Sequence, residues 1–435
     1  MPSRRSLLAL PAAVLVSSGL AACGPNMPSG SGGGAGGASD EGSLRFAWWG
    51  NAVRDDLTRE AISTYAKETP DLAIAGEPTD WTGYWDKLAT QVAGGEVPDI
   101  LQMDEAYLSE YSSRGILLDL GDTAIDTAEF ESSAVDAGKV DGRLFALNAG
   151  VNAPVLLANP EVFRAAGAEM PDDSTWTWDD LLETSAAITK ATPDGTYGVQ
   201  QLGAAGDPSL SVYLRQLGVE KFDGEGLGFS ADHLEQWMDY SLRLQSSKAS
   251  PGASLAVEET GKAVDQTLFA TGKCALASAW SNQVVSNDQA LDGAVKVLRL
   301  PSMTGSARDV QLWYKASMYF CASARSSQQS AATAFLDWLV NSPDAGRILV
   351  AERGVPANLS VREEIRGDLS GADLKAVDFI ESIADELGDP PPITPPGGTA
   401  VSDALGRHME DVLFGRTSPP EASEAAVTEA AGQLG

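Results

Sequence analysis

Three times between residues 43 and 115 a short β-prone run gives way to a helical pattern, and this alternation constrains the fold more than any other feature. SLRFAWW (43–49) alternates its side chains and is rich in strand formers, so it reads as a first strand. In DDLTREAISTYAKETP (55–70), Leu57, Ala61, Ile62 and Tyr65 share one helical face, and Pro70 stops the run. DLAIAGEP (71–78) is a second strand. WTGYWDKLATQVAGG (81–95) sets Trp81, Tyr84, Trp85, Leu88 and Val92 at helical spacing and ends on Gly94-Gly95. VPDILQM (97–103) and AYLSEYSSRG (106–115) repeat the pair. Strands joined through helices pair in parallel, so this order predicts an α/β fold with a mainly parallel sheet and helices on both faces.

The pattern changes after DGRLFALNAGVNAPVLLAN (141–159), an extended stretch with a turn at each end. Helices follow in TWTWDDLLETSAAITKAT (175–192), capped by Thr177 or Thr175, then in 209–218 and 230–247. GKCALASAW (272–280) and AVKVLRLP (294–301) return as strands, and DVQLWYKASMYFCASA (309–324) is a long extended segment. Residues 326–354 are helical again, and a proline-rich loop (390–398) leads into a helical tail. No internal repeat is present. The chain therefore divides into two α/β lobes, each a mainly parallel sheet flanked by helices. One lobe is expected from residues 43–152 plus 319–375, the other from 153–318 plus 376–435. Segments near 148–155 and 314–321 are the expected crossings. Ligand sites of open parallel sheets lie at the carboxyl ends of the strands, and pockets favour domain interfaces, so a cleft between the lobes satisfies both rules.

Upstream of the first strand the chain is of a different kind. Arg4 and Arg5 precede an apolar stretch from Leu7 to Ala22 that is interrupted by Pro11, Ser17, Ser18 and Gly19. This is the layout of a secretory signal (1–22) and not of a spanning helix, which needs about 20 unbroken apolar residues. Leu20-Ala21-Ala22-Cys23 resembles the bacterial lipobox, in which the cysteine becomes acylated; a plain cleaved signal with a chance cysteine is the alternative. Residues 3–8 also resemble a twin-arginine export signal. From 23 to 42 the chain is mostly Gly, Ser, Pro and Ala without apolar periodicity. Such a tether reaches about 25 Å and cannot bury enough surface to offset its ordering entropy.

The formal net charge is −31. Nucleic-acid binding calls for a basic footprint and anionic lipid for a polybasic segment, so both are disfavoured. Cys274 and Cys321 lie in apolar strand-like runs, either bridged in an oxidising compartment or as two buried thiols. With only His233 and His408, a histidine-rich metal site is excluded. No HExxH, nucleophile elbow or Walker loop is present, and GEGLG (224–228) reads as a glycine-rich turn.

Six segments carry a resemblance. FAWWGNAVRDDLT (46–58), the run from Asp80 to Leu120, the run from Asp141 to Gly167, DSTWTWDDLLE (173–183), GKCALASAWSNQ (272–283) and AERGVPAN (351–358) resemble, in this order, the extracellular solute-binding proteins of family 1. These are the sugar-binding lipoproteins of ABC importers. The resemblance implies a two-lobed, periplasmic-binding-protein-like clamshell (type II) that closes on a carbohydrate ligand and delivers it to the permease subunits of an ABC transporter. It implies a monomeric receptor at the outer face of the cell membrane, with no cofactor and no catalytic role. The tether then has a use: it keeps a receptor anchored through Cys23 near its permease, at an effective concentration on the order of millimolar.

A sugar ring offers an apolar face for indole and a rim of hydroxyls that donate and accept. Of ten tryptophans, Trp85, Trp338, Trp176 and Trp178 read as packing residues. Trp49, or its neighbour Trp48, ends the first strand at its carboxyl edge beside Gly50-Asn51, and Trp81 begins a helix; both positions suit a cleft. Trp313 suits either packing or the cleft. Trp280 ends the CALASAW strand before Ser281-Asn282-Gln283, where an aromatic in the resembled family often stacks on ligand. Asp104 ends DILQM, as a ligand contact, a helix cap or both. Asn152 and Lys315 lie at the expected crossings. Arg353 matches a family position that contacts ligand or organises a carboxylate, which suggests an Arg353–Asp104 fork. The ligand set is thus Trp49, Asn51, Trp81, Asp104, Asn152, Trp280, Asn282, Lys315 and Arg353. The alternatives are the same fold with a polyol, glycerol phosphodiester or peptide, and a secreted glycoside hydrolase, which needs two carboxyl groups at a set separation.

Overall fold

The computed structural model describes residues 42–434 except 131, 204–206, 225, 261 and 370, and the side chain of Thr82. The expected signal, Cys23 and the tether as far as residue 41 lie outside the described residues.

Strand β1 (Ser43–Trp49) shows why the first lobe has two covered faces. Its alternate side chains Leu44, Phe46 and Trp48 join one core with Ala61 and Tyr65 of helix α1 (Ala52–Glu68). The intervening Ala47 and Trp49 join another with Tyr84, Trp85 and Leu88 of helix α2 (Trp81–Gly94). β1 pairs in parallel with β2 (Ala73–Thr79) on one side and β3 (Ile100–Met103) on the other. Gly76 of β2 is required by this packing, because a Cβ there would stand 2.4 Å from the Trp48 ring. Trp48 is wholly buried and donates its indole N–H to Asp55 Oδ1, 2.9 Å.

The sheet continues from β3 to the strand Tyr319–Ala322 and then to Leu147–Asn148, both pairings antiparallel. The expectation of mainly parallel sheets holds for β1–β3 and gives way at strands tied to the crossings. Tyr319–Ala322 returns from the second lobe, so it enters this sheet from the opposite end. The second sheet has the order Lys296–Leu298, Pro154–Ala158, Cys274–Trp280, Tyr197–Val199. There Pro154–Ala158, arriving from the first lobe, is antiparallel to both neighbours, and only Tyr197–Val199 pairs in parallel.

Between the sheets lies a two-stranded hinge. Val151–Asn152 pairs antiparallel with Lys315–Ala316, and Val151 also bridges Val355. Cys274 belongs to the second sheet and Cys321 to the first; both are buried free thiols, so the disulfide alternative falls away. Burial pushes the Cys274 thiol up to about 12. The tail forms helices Gly398–Leu413 and Pro419–Gln433, which pack on each other and on Ala231–Ser246. No described helix is long and apolar enough to cross a membrane.

Candidate functional site

Because β1, β2 and β3 run the same way, their carboxyl ends share one edge, and the segments that follow them deliver side chains there. Trp49 is the last residue of β1 and only 7% exposed. Trp81 opens α2 behind Asp80, whose carboxylate caps the Gly83 N–H at 2.8 Å. At 45% exposure it is the most exposed large apolar side chain among the described residues. It stands edge-on to Trp49, centroids 5.0 Å apart, and to Trp85 at 5.5 Å. Trp85 in turn lies flat against Tyr107 at 3.5 Å. Trp49 and Trp85 thus form a buried base, with Trp81 and the half-buried Tyr107 on its surface. Trp48 points to the opposite face of the sheet and takes no part.

Asp104 follows β3 and caps helix α3 (Glu105–Ser113) through the Ala106 N–H, 3.0 Å, so it is the helix cap the sequence offered. Its second oxygen faces Lys315. From the hinge strand, Lys315 Nζ lies 3.8 Å from Asp104 Oδ2, 3.9 Å from Glu105 Oε2 and 4.7 Å from the centre of the Trp280 ring. Burial works against the Lys315 charge, but Asp104 and then Glu105 outweigh it and hold the amine above the ordinary lysine value. Burial raises the Glu105 carboxyl, with Lys315 opposing and Asp104 adding. Trp280 meets Trp313 edge-to-face at 5.9 Å, and the Arg215 guanidinium lies 5.0 Å over Trp313.

Asn152 is buried and committed to the hinge. Its Nδ2 donates to Asn282 Oδ1 at 2.9 Å, and its Oδ1 accepts from Ser281 Oγ and the Asn282 N–H, each 3.1 Å. Asn282 is half-buried and Asn152 is not a free ligand group. Asn51 caps α1 through the Arg54 N–H and lies 3.5 Å from Ser286 Oγ, on the helix Gln283–Ala290 that follows Trp280.

Arg353 departs from expectation. It does not fork to Asp104: Nε donates to Gln102 Oε1 at 3.1 Å and Nη2 to Thr58 Oγ1 at 2.6 Å, and the side chain is buried. Gly354, at φ +88°, carries the chain back to the hinge, where Ser317 Oγ donates to the Arg353 carbonyl. Beside it Arg54 Nε meets both oxygens of Glu352 at 2.9 and 3.0 Å, and Arg54 and Gln102 both donate to the Trp49 carbonyl. Burial and then Arg54 disfavour the Arg353 charge, with Glu352 opposing. This network supports the aromatic base from beneath.

Residues not singled out from the sequence complete the site. Glu105 adjoins Asp104, and that acidic doublet at a helix start was its available signal. Lys221 donates to Ser402 Oγ at 2.6 Å and is pushed down to about 8 by burial, with Glu105 and Asp403 opposing. Asp403 sits on the Gly398–Leu413 helix, which packs against α3. Nothing local in the sequence marks Lys221 as a neighbour of Glu105. A cavity of about 20 Å³ bordered by Phe130, Asn148 and Arg353 has room for one water molecule and not for a sugar. The chemistry gathers instead between the lobes. Among the described residues no cluster of His, Cys, Asp and Glu is placed to hold a metal ion.

The family model for the bacterial extracellular solute-binding protein matches residues 60–371. The chain belongs to this family. It is 25% identical over 412 residues to a mannitol-binding protein of Pseudomonas aeruginosa, covering 87% of this chain and 91% of that protein. Among solved structures, a periplasmic solute-binding protein of Pectobacterium atrosepticum aligns with a TM-score of 0.80 at 19% identity. A periplasmic oligogalacturonide-binding protein of Yersinia enterocolitica aligns at 0.79 and 20%. Each alignment covers 90% of this chain and 98% of the other. Those two likenesses establish the fold: this solute-binding protein has the two-lobed α/β architecture.

Proposed function

We propose that this solute-binding protein captures a sugar, oligosaccharide or polyol between its lobes and presents it unaltered to an ABC import permease. The carrying observation is Lys315. It stands on the hinge strand and meets carboxylates of one lobe and an indole of the other. The lobe that supplies those carboxylates also presents an exposed indole, Trp81, and the carboxylates and the amine are the mixed acceptors and donors that a polyhydroxylated ligand needs. A ligand touching both sides stabilises the closed arrangement by its differential affinity for it. The mannitol-binding relative supports a polyol among the cargoes.

A glycosidase needs two carboxyl groups flanking the scissile bond. Asp104 and Glu105 instead stand side by side on one helix start, facing one lysine. The lobes take residues 43–152 plus 319–375 and 153–318 plus 376–435, and Cys23 anchors the receptor to the outer face of the membrane; the lipobox-like segment and the glycine-rich tether support that reading. The test is a thermal-shift screen of the chain from Ser43 onward against sugars, oligosaccharides, polyols and short peptides, with recovery of the ligand. At a hundred times its dissociation constant a ligand adds about 2.7 kcal/mol of stability. A shift with a carbohydrate recovered intact is expected. A shift with peptides alone, or a cleaved product, would overturn the proposal.

A further inference from the structure

Two carboxylates, Asp104 and Glu105, meet the Lys315 ammonium between the lobes, and Lys221 and Asp403 lie in the neighbourhood. Asp104 and Glu105 open α3, and Asp403 lies on the helix that packs against it. Lys315 is already shared between Asp104 and Glu105, and its remaining side is covered by Trp280 at 4.7 Å. Lys221 is held by Ser402 Oγ at 2.6 Å, lies 5.5 Å over the Phe222 ring, and shares Glu105 and Asp403 as its acidic neighbours. Glu105 therefore stands 3.9 Å from the Lys315 ammonium and favours the charge of Lys221 from farther off.

The arrangement treats neutral and anionic ligands differently. A sugar hydroxyl can donate to these carboxylates and accept from these amines without displacing either. A ligand carboxylate only accepts. It needs an uncommitted cation, and here it meets like charges that outnumber the amines, in surroundings where a close like-charge pair is costly. Exclusion by a built-in repulsive group is a general route to specificity.

We propose that Glu105 is a specificity-determining residue that makes this site accept neutral sugars and polyols and reject uronates. The proposal rests on the carbohydrate reading above. Replacing Glu105 by Gln keeps the shape, removes one repulsive charge and leaves Lys315 neutralised by Asp104 alone, so a ligand carboxylate can share it.

The test uses calorimetric titration at pH 7 with glucose and glucuronate, galactose and galacturonate, mannitol, and digalacturonate. For the wild-type chain a neutral probe should bind at least about tenfold tighter than its uronate counterpart. Glu105→Gln should narrow that gap by at least about tenfold, with the uronate gaining affinity. Asp403→Asn, an exposed change that leaves the core untouched, should narrow it less. A uronate that binds the wild-type chain as tightly as its neutral partner would overturn the proposal and leave the carbohydrate reading standing. So would a gap unchanged in Glu105→Gln, or narrowed more by Asp403→Asn. Binding of no probe, together with a thermal shift given by peptides alone, would overturn both.

Discussion

Lys315 stands between Asp104 of one lobe and Trp280 of the other, its Nζ 3.8 Å from the carboxylate and 4.7 Å from the centre of the indole ring. One side chain therefore reports on both halves of the site. In Lys315→Met the ligand loses a charged donor. A charge-assisted bond is worth about 1.5–3 kcal/mol, so affinity should fall roughly 10- to 100-fold. Titration calorimetry against the sugar found in the screen measures it, with circular dichroism to show the fold kept. Unchanged affinity would remove Lys315 from the site.

Trp81 and Trp49 touch each other but should respond differently to truncation. Trp81 is 45% exposed and Trp49 is 7% exposed. Trp81→Ala gives up little packing, so stability should move by less than about 1 kcal/mol while ligand binding weakens roughly tenfold. Trp49→Ala empties the base of the cluster and should cost about 3–5 kcal/mol of stability. Urea unfolding and ligand titration on both variants separate the roles. Equal loss of stability in the two would contradict the division into base and surface.

Most of this site was legible because its residues mark the ends of periodic segments. Trp49 and Asp104 each close a strand pattern or follow one directly and Trp81 opens a helix pattern, so topology carries these three to one edge of the first sheet, while Trp280 closes a strand of the second. Trp48 shows the limit of that reasoning: one residue along a strand reverses the face, and the indole enters the core. Arg353 was misplaced for another reason. Its direction depends on the left-handed turn at Gly354 and on partners at Gln102 and Thr58, more than 200 positions away. Lys221 bonds to Ser402 on the tail helix that packs against α3, a long-range arrangement that hydrophobic spacing cannot register. Asn152 and Asn282 are both expected at the ligand, and in the fold they bond to each other, with Ser281 as a further partner of Asn152.

Glu352 should matter for folding more than any carboxylate of the ligand site. Its side chain is 5% exposed and receives Arg54 at 2.9 Å, with Arg353 4.0 Å away. Glu352→Gln leaves two buried guanidinium groups without their counter-charge, for an expected loss of about 3–5 kcal/mol. The double variant Arg54→Met, Glu352→Met removes both charges of the close pair and should recover part of that loss. Denaturant unfolding of the single and double variants decides this. A single variant as stable as the wild type would show that the pair contributes nothing to the support beneath Trp49.

Lys221 gives the site a pH signature in the alkaline range. Its amine is pushed down to about 8 by burial, against the pull of Glu105 and Asp403, while Ser402 Oγ accepts its hydrogen bond. An unfolded lysine titrates near about 10.4. Between these values the unfolded chain holds a proton that the folded chain has released, so this group's contribution to stability rises with pH. Above about pH 10 the trend is masked, because burial raises Tyr84, Tyr240 and Tyr319 and the folded chain then keeps protons that the unfolded chain loses. Those tyrosines are shared with a Lys221→Met variant and cancel in the comparison. The melting temperature of the wild type should therefore gain on that of Lys221→Met from pH 7.5 to about pH 9.5. A difference that stays flat across this window would mean that Lys221 keeps an ordinary lysine affinity for its proton, and that the surroundings of Glu105 and Asp403 do not press on it.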